Sequence, residues 1–176
     1  MKIFIIKLKI IFFLFFFLTN SFSQDKIVYV DMNVLINNSK AGISINKQMQ
    51  KLIDNNNKEY EKIEKKLLKE EDDILKKKNI LDPEKYNQEI ITFKNKIANL
   101  RKERKEKVSL IRNKNVKAKN DLVNHVTKIL AEYSSKNEIT LVLNKDGIIL
   151  GKKNIDVTEK ILELLNKKVQ NIKLTN

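Results

Sequence analysis

The sequence predicts an α+β fold, in which a small β-rich body carries a long antiparallel helical hairpin of the coiled-coil type. Two helical runs, residues 40–79 and 84–137, meet at Pro83, the only proline of the 176-residue chain. Segments rich in β-branched residues lie on both sides of these runs, which is typical of strands. We therefore expect the hairpin to be inserted between two halves of one body, residues 24–39 and residues 138–176.

The heptad pattern of the two runs predicts that they pack against each other. In the first run, one row recurs every seven residues at Ile53, Tyr60, Leu67 and Ile74. A second row lies four residues before each of these, at Met49, Asn56, Ile63 and Glu70. The second run has a matching stripe with steps of four and three, at Tyr86, Ile90, Phe93, Ile97 and Leu100. Such an a/d pattern is typical of a helix that lies along one partner helix.

The turn of the hairpin is predicted near Asp82-Pro83. The residue before a proline is disfavoured in the helical region, and proline itself suits the first turn of a helix. At 1.5 Å per residue, arms of about 40 to 50 residues reach roughly 60 to 75 Å. A compact domain of this size needs no element of that length, so residues 40–137 are predicted to form a projecting arm, or tentacle.

Polar residues interrupt the predicted seam between the arms, and beyond Ile111 the spacing drifts toward eleven residues. The interruptions are Asn56, Glu70, Arg104 and Lys107. Each polar seam residue costs stability, and a change of repeat alters the supercoil. Two interpretations stay open: ordinary coiled-coil imperfection, or arms that flex to fit partners of different size.

The composition argues against catalytic and metal chemistry. The chain has no cysteine, three glycines, one proline and a single histidine, His125. Disulfides and thiolate metal sites are therefore excluded, and no glycine-rich phosphate loop or zinc spacing is found. The acidic cluster at residues 70–73 has the wrong spacing for a calcium loop. We predict that the protein is not an enzyme and that it uses no cofactor.

Residues 1–23 have the pattern of a cleavable secretory signal peptide. Three lysines precede an unbroken apolar run at residues 10–18, and small residues at Ser21 and Ser23 favour cleavage after Ser23. The apolar run is too short for a membrane span of ~20 residues, although an uncleaved anchor is the alternative. Cleavage removes the three lysines and lowers the net charge from +14 to +11. We therefore expect a basic, exported protein.

The body is predicted to contain three short strands. The first lies at residues 25–31, and the other two, residues 139–143 and 148–150, form a hairpin. Asp146-Gly147 is typical of a two-residue hairpin turn, because glycine accepts the positive φ that such a turn requires. So small a body buries little apolar area and leaves strand edges unpaired, so we predict an oligomer whose bodies share one sheet.

Two short helices complete the predicted body. Asp31 is predicted to cap a helix over residues 32–36, which a turn at residues 37–39 separates from the first arm. Asp156 and Glu159 have the spacing of a capping box, and an apolar stripe follows them on the last helix.

Three segments make the chain resemble the Skp/OmpH family of periplasmic chaperones. They are residues 26–32 after the signal peptide, residues 39–42 before the long helix, and residues 141–150 followed by residues 155–158. The resemblance covers essentially the whole mature chain. It implies a homotrimer with a shared β body and three tentacles around a cavity, which holds unfolded outer-membrane proteins in transit without ATP. The body residues predicted to form the shared sheet are Ile27, Tyr29, Leu141, Leu143 and Ile149.

Positive charge is concentrated in the second arm. Residues 94–119 contain eleven basic and two acidic residues, a net charge of +9. This block favours acidic partners, although a charge run can also be only a solvated face. The candidate client-binding residues are Lys94, Arg101, Lys102, Lys105, Arg112 and Lys119.

The sequence also leaves other partners and functions open beside the chaperone role. Lipopolysaccharide or an anionic membrane surface is a further candidate partner of the basic arm, although no lipopolysaccharide site of the family can be placed among so many lysines. A second hypothesis is a basic coiled coil that binds nucleic acid or another polyanion, and a third is a spacer between membrane and cell wall. The signal peptide argues against nucleic acid, and residues 94–119 contain no aromatic residue to stack on bases.

Overall fold

The computed structural model describes residues 25–175, so the predicted signal peptide lies outside the described residues. Two strands and four α-helices follow one another along this part of the chain. In order they are β1 (Ile27–Val30), α1 (Met32–Asn38), α2 (Lys40–Lys76), α3 (Pro83–Lys136), β2 (Leu141–Asn144) and α4 (Thr158–Lys168). Short 3-10 turns lie at Lys77–Asn79, Lys145–Gly147 and Lys153–Ile155.

Helices α2 and α3 form the long antiparallel hairpin, and the predicted fold class is confirmed. Helix α2 contains 37 residues and α3 contains 54, so α3 extends about 80 Å. At the tip, Pro83 is the first residue of α3, and Asp82 Oδ1 accepts a hydrogen bond of 2.9 Å from the Glu84 amide. This bond satisfies one of the amides that a helix leaves unpaired at its start.

The junction between α1 and α2 is tighter than the sequence suggested. Helix α1 continues to Asn38, so the predicted turn at residues 37–39 reduces to Ser39 alone. The Ser39 hydroxyl oxygen accepts a hydrogen bond from the Gly42 amide at 3.1 Å and caps α2. A β carbon on Gly42 would lie 1.8 Å from the carbonyl oxygen of Ile36. Only glycine fits where the two helices pass this closely.

The core lies where the sheet meets α1, α4 and the bases of both arms. Strands β1 and β2 pair in parallel, with Ile27 opposite Leu141 and Val30 opposite Asn144. Fully buried core side chains come from all four helices, namely Leu35, Ile45, Leu122, Val126, Ile161 and Leu165. Because the arms supply half of these residues, their bases are part of the core of the body and are held rigidly in it.

The prediction of a β-hairpin at residues 139–150 is wrong. Only Leu141–Asn144 is a strand, and Lys145–Gly147 forms a 3-10 turn after which the chain leaves the sheet. The predicted turn type requires positive φ, whereas no glycine of the described residues has one. Instead, the side-chain amide nitrogen of Asn33 on α1 donates a hydrogen bond of 3.3 Å to Asp146 Oδ2. Strand β2 pairs with β1.

The start of α4 also differs from the predicted capping box. The helix begins at Thr158, and Asp156 Oδ1 accepts a hydrogen bond of 2.9 Å from the Thr158 amide two residues on. Asp156 is held there by a bridge to Tyr29 of β1, and the Val157 amide donates to the Tyr29 carbonyl at 3.0 Å. Pairing with the sheet therefore sets the start of α4. The predicted cap at Asp31 is confirmed, with Oδ1 accepting from the Val34 amide at 3.0 Å.

Candidate functional site

Three of the four polar residues predicted at the seam, Glu70, Arg104 and Lys107, form ion pairs between the arms. Arg104 of α3 pairs with Glu64 of α2 at 2.7 Å. Lys96 pairs with Glu70 in the same way, and Lys107 with Glu59. All three pairs are solvent-exposed, and such pairs contribute about 0–1 kcal/mol each. They favour the observed antiparallel register, because any shift of one arm separates all three pairs.

Two of these cations, Arg104 and Lys107, lie close to the aromatic ring of Tyr60. Its side chain is buried in the seam. The Arg104 guanidinium carbon lies 5.1 Å from the centroid of the ring, and Lys107 Nζ lies 5.9 Å from it. A cation over an aromatic face is attracted by the ring quadrupole. The hydrogen bond from Lys107 to Glu59 raises the pKa of Lys107 above its ordinary value, which keeps this cation charged.

Asn56 is the one polar seam residue that is buried. Its exposed fraction is 5%, and its Oδ1 atom has no hydrogen-bond partner among residues 25–175. The Oδ1 atom of Asn115 on α3 is buried without a partner as well. An unsatisfied buried polar group costs roughly 1–3 kcal/mol. Each of these two asparagines therefore weakens the packing of the arms.

The six predicted client-binding cations are among those that the ion pairs leave free. None of the six forms an ion pair with another residue between 25 and 175. Five occur at steps of seven, four, seven and seven residues, so they share one face of α3. We call these five the cationic stripe: Lys94, Arg101, Lys105, Arg112 and Lys119. Lys102 follows Arg101 directly and lies beside the stripe.

An apolar groove between the arms borders this stripe, and we call it the inter-arm groove. Its volume is about 380 Å³. The apolar lining comes from both arms and consists of Tyr60, Leu67, Leu68, Phe93, Ile97 and Leu100. Four charged side chains also line the groove, Arg101 and Arg104 from α3 and Glu64 and Glu71 from α2. Arg101 therefore belongs both to the groove and to the cationic stripe.

Four of the five predicted sheet residues are exposed in the single chain. Ile27, Leu141 and Leu143 are 43%, 47% and 40% exposed, and Ile149 is fully exposed. Tyr29 is buried instead, because the chain folds back over it and a β carbon on Gly151 would lie 2.8 Å from its ring. A two-stranded sheet with one uncovered apolar face is marginal on its own.

Sequence reasoning missed the segment that follows α4. Residues 169–175 run back along the bases of the arms, where Gln48 of α2 binds the backbone of Ile172 and Leu174. The available signal was the alternation of polar and apolar residues from Asn171 to Thr175. Five residues of alternation are too few to predict a docked segment from sequence.

The described residues contain no cluster of three or more His, Cys, Asp or Glu side chains that could hold a metal ion. Between residues 25 and 175 no helix combines the length and apolar character needed to cross a membrane. His125 lies exposed on α3.

These features define a tentacle-type α+β protein, with a two-helix arm rooted in a small sheet-and-helix body. The model of the outer membrane protein (OmpH-like) family matches residues 26–165, so the chain belongs to the OmpH-like family. The resemblance recognised in the sequence is thereby confirmed. The fold is similar to the crystal structure of a protein assigned as an OmpH-like outer membrane chaperone from Caulobacter crescentus CB15. That likeness has a TM-score of 0.80 at 12% identity and covers 86% of this chain and 89% of the other. No curated protein matches the chain.

Proposed function

We propose that the protein is an ATP-independent holdase chaperone of the periplasm, which keeps unfolded outer-membrane β-barrel proteins soluble in transit to the outer membrane. The observation that carries this proposal is the inter-arm groove beside the cationic stripe. A holdase needs apolar surface that stays accessible, and a folded single-domain protein rarely exposes such a surface without a use for it. The OmpH-like family and the description of the Caulobacter protein as a chaperone support a role of this kind.

Capture begins with long-range attraction. Unfolded barrel proteins that carry net negative charge are drawn to the unpaired cations on α3. Arg101 takes part in both attraction and contact, because it belongs to the cationic stripe and also lines the inter-arm groove. The stripe raises the rate of encounter and contributes little to holding, because exposed charges are screened over about 8 Å at physiological salt.

Holding rests on many weak apolar contacts. Strands of outer-membrane barrels alternate apolar and polar residues, so every second side chain of an unfolded client can enter a groove between helices. Leu68 lies at the groove and is 66% exposed, and Leu75, one heptad further along α2, is 55% exposed. Both leucines are open to solvent, which suits a chaperone with many clients.

The working unit that we propose is a homotrimer, with residues 24–39 and 138–176 as the shared body and residues 40–137 as the tentacle. The uncovered face of Ile27, Leu141 and Leu143 supports the sharing of one sheet, and the number three comes from the family. We expect light scattering to give three times the monomer mass. A stable folded monomer at micromolar concentration would contradict the shared body.

The proposal also includes export through the signal peptide, with the mature chain beginning after Ser23. Lipopolysaccharide or an anionic membrane surface is a second candidate partner, which the cationic stripe favours on charge alone. We propose no catalytic activity and no nucleic-acid partner.

Dilution of an unfolded barrel protein from urea tests the proposed function. Light scattering follows aggregation with and without the chaperone, in buffer from which nucleotide has been removed by apyrase. We expect the barrel protein to stay soluble with the chaperone and to aggregate without it. Protection that requires ATP, or no protection of any barrel protein tried, would refute the proposal.

A further inference from the structure

The segment after α4 lies against the bases of the arms, and two of the hydrogen bonds that hold it are made to its backbone. The side-chain amide nitrogen of Gln48 donates to the Ile172 carbonyl at 2.8 Å, and the Leu174 amide donates to Gln48 Oε1 at 3.3 Å. A neighbouring parallel strand would bond the same two backbone groups. Gln48 therefore recognises the backbone of an extended chain.

The side chains of the segment alternate in burial. Ile172 and Leu174 are half-buried and pack against the core cluster, whereas Asn171, Lys173 and Thr175 are exposed. A strand that packs one of its two faces against the protein has this pattern. Ser44 supports the docking by donating a hydrogen bond of 2.7 Å to Asn171 Oδ1.

The surface around this segment comes from both arms. Across a shallow cavity of about 290 Å³, Ile172 faces Asp121, Asn124, His125 and Lys128 of α3. Gln48 and Ser44, which bond the segment, lie on α2. The segment therefore lies between the bases of both arms, at the root of the hairpin, and we call the surface that it covers a groove.

We propose that this groove, the strand seat, is a docking site for one extended strand of a client, and that residues 171–175 occupy it until a client strand replaces them. The partner is an extended polypeptide whose residues alternate between apolar and polar, as those of the docked segment do. Its identification as an unfolded barrel protein rests on the proposed function, since barrel strands have this alternation. The strand seat itself rests only on the contacts of Gln48, Ile172 and Leu174.

Replacement of the segment is physically reasonable because its hold is small. Two half-buried apolar side chains and a few hydrogen bonds attach it, and the segment ends in a tight turn in which the Thr175 amide donates to the Lys173 carbonyl at 3.0 Å. A client offers many alternating strands at high local concentration once the arms have captured it. The segment therefore acts as a competitor that the client must displace.

A released variant tests the competition in the full chain. The Ile172→Ser/Leu174→Ser variant removes both apolar anchors and frees the seat. If the segment occupies the seat about nine-tenths of the time, release lowers the apparent Kd for an unfolded barrel protein about tenfold. Fluorescence anisotropy of the labelled client measures the Kd. The matched control is Lys173→Arg/Thr175→Ser, which alters the exposed positions and keeps the charge, so its Kd should equal that of the wild type.

A locked variant tests the same site in the opposite direction. The chain has no native cysteine, so Ser44→Cys/Asn171→Cys provides one possible disulfide within the chain. We expect the oxidised protein to bind the client more weakly than the same protein after reduction. Equal Kd values for the two forms, or a released variant that binds no more tightly than the wild type, would overturn the strand seat. A bridge between two copies would overturn the assignment of the segment to its own chain.

The wild-type protein separates this inference from the proposed function. If the wild-type protein binds no barrel protein, the holdase proposal fails. The strand seat is then tested by a peptide with the sequence of residues 171–176 and NMR of the released variant, with the two apolar residues placed side by side in a control peptide. Shifts near Gln48 with the native order and none with the control support the seat, and the absence of shifts with both peptides contradicts it.

Discussion

Arg104 of one arm lies over the ring of Tyr60 of the other, with 5.1 Å between the guanidinium carbon and the ring centroid. The same guanidinium bonds Glu64 at 2.7 Å, so one side chain joins the apolar seam to the charged surface. Tyr60 is buried although the helices around it expose most of their residues. This contact stabilises the hairpin midway along α2, far from the core of the body.

Replacement of Tyr60 should therefore weaken the arm. We expect Tyr60→Ala to lower the free energy of unfolding by about 3 kcal/mol, because it removes a buried aromatic ring. Tyr60→Phe keeps the ring and the cation above it, and should cost less than about 1 kcal/mol. Urea unfolding followed by circular dichroism measures both. Equal losses in the two variants would mean that the hydroxyl group, and not the ring, stabilises the seam.

Asn56 should be a site where an apolar residue stabilises the protein. Asn56→Leu removes a buried oxygen atom without a partner and fills the seam, so the free energy of unfolding should rise by about 1–2 kcal/mol. Asn55→Leu, on the exposed side of the same helix, is the control and should have little effect. If Asn56→Leu destabilises the protein, the Oδ1 atom has a partner in solution.

The glycines at positions 42 and 147 should respond in opposite ways to alanine. Gly42→Ala places a β carbon 1.8 Å from the Ile36 carbonyl oxygen, so α1 and α2 must separate and the midpoint of thermal unfolding should fall sharply. At Gly147 a β carbon would meet no atom within 4 Å, and the residue has no positive φ. Gly147→Ala should leave stability unchanged or raise it by up to about 1 kcal/mol. A loss of stability in Gly147→Ala would indicate that the turn adopts the predicted β-hairpin conformation in solution.

The carboxylate of Asp31 should make stability depend on pH in the acid range. The hydrogen bond from the Val34 amide and the nearby Lys145, whose Nζ lies 3.3 Å from Oδ2, lower the pKa of Asp31 below its ordinary value of 3.8. A lowered pKa in the folded state gives stability that is fully present above the unfolded pKa and is lost as pH falls through the folded pKa. Asp31→Asn keeps a capping oxygen and removes the charge. The variant should be less stable than the wild type at pH 7, and the difference should vanish near pH 2 in thermal unfolding. A difference that is constant over this range would exclude the charge as its cause.

The helical hairpin could be predicted closely from sequence because its signals are local and repeated. The heptad rows and Pro83 gave bounds within three residues of those in α2 and α3. The sheet could not be predicted in the same way, since Asp146-Gly147 favours a hairpin locally while β2 pairs with β1, more than one hundred residues earlier. Strand pairing depends on partners that a local pattern does not specify.

The sequence predicted the basic block and part of its arrangement. The heptad phase placed Arg104 and Lys107 at the seam, where both pair with α2, and none of the six candidate cations forms such a pair within residues 25–175. The sequence did not predict that Lys96 pairs with Glu70. That pairing depends on the register of the two arms, which a pattern within one helix does not specify.

The most direct test of the account is the rate at which the arms capture an unfolded barrel protein, measured by stopped-flow fluorescence at low salt. The variant Arg101→Glu/Lys105→Glu/Arg112→Glu reverses the cationic stripe. The control Lys62→Glu/Lys66→Glu/Lys69→Glu makes the same change of charge on α2, where Lys66 and Lys69 border a different groove nearer the tip. With equal helicity in both, we expect the stripe variant to associate about tenfold more slowly than the wild type, and the control much less so. The dissociation rate should change little in either. Equal association rates for the folded stripe variant and the wild type would show that the stripe is only a solvated face and would contradict the account.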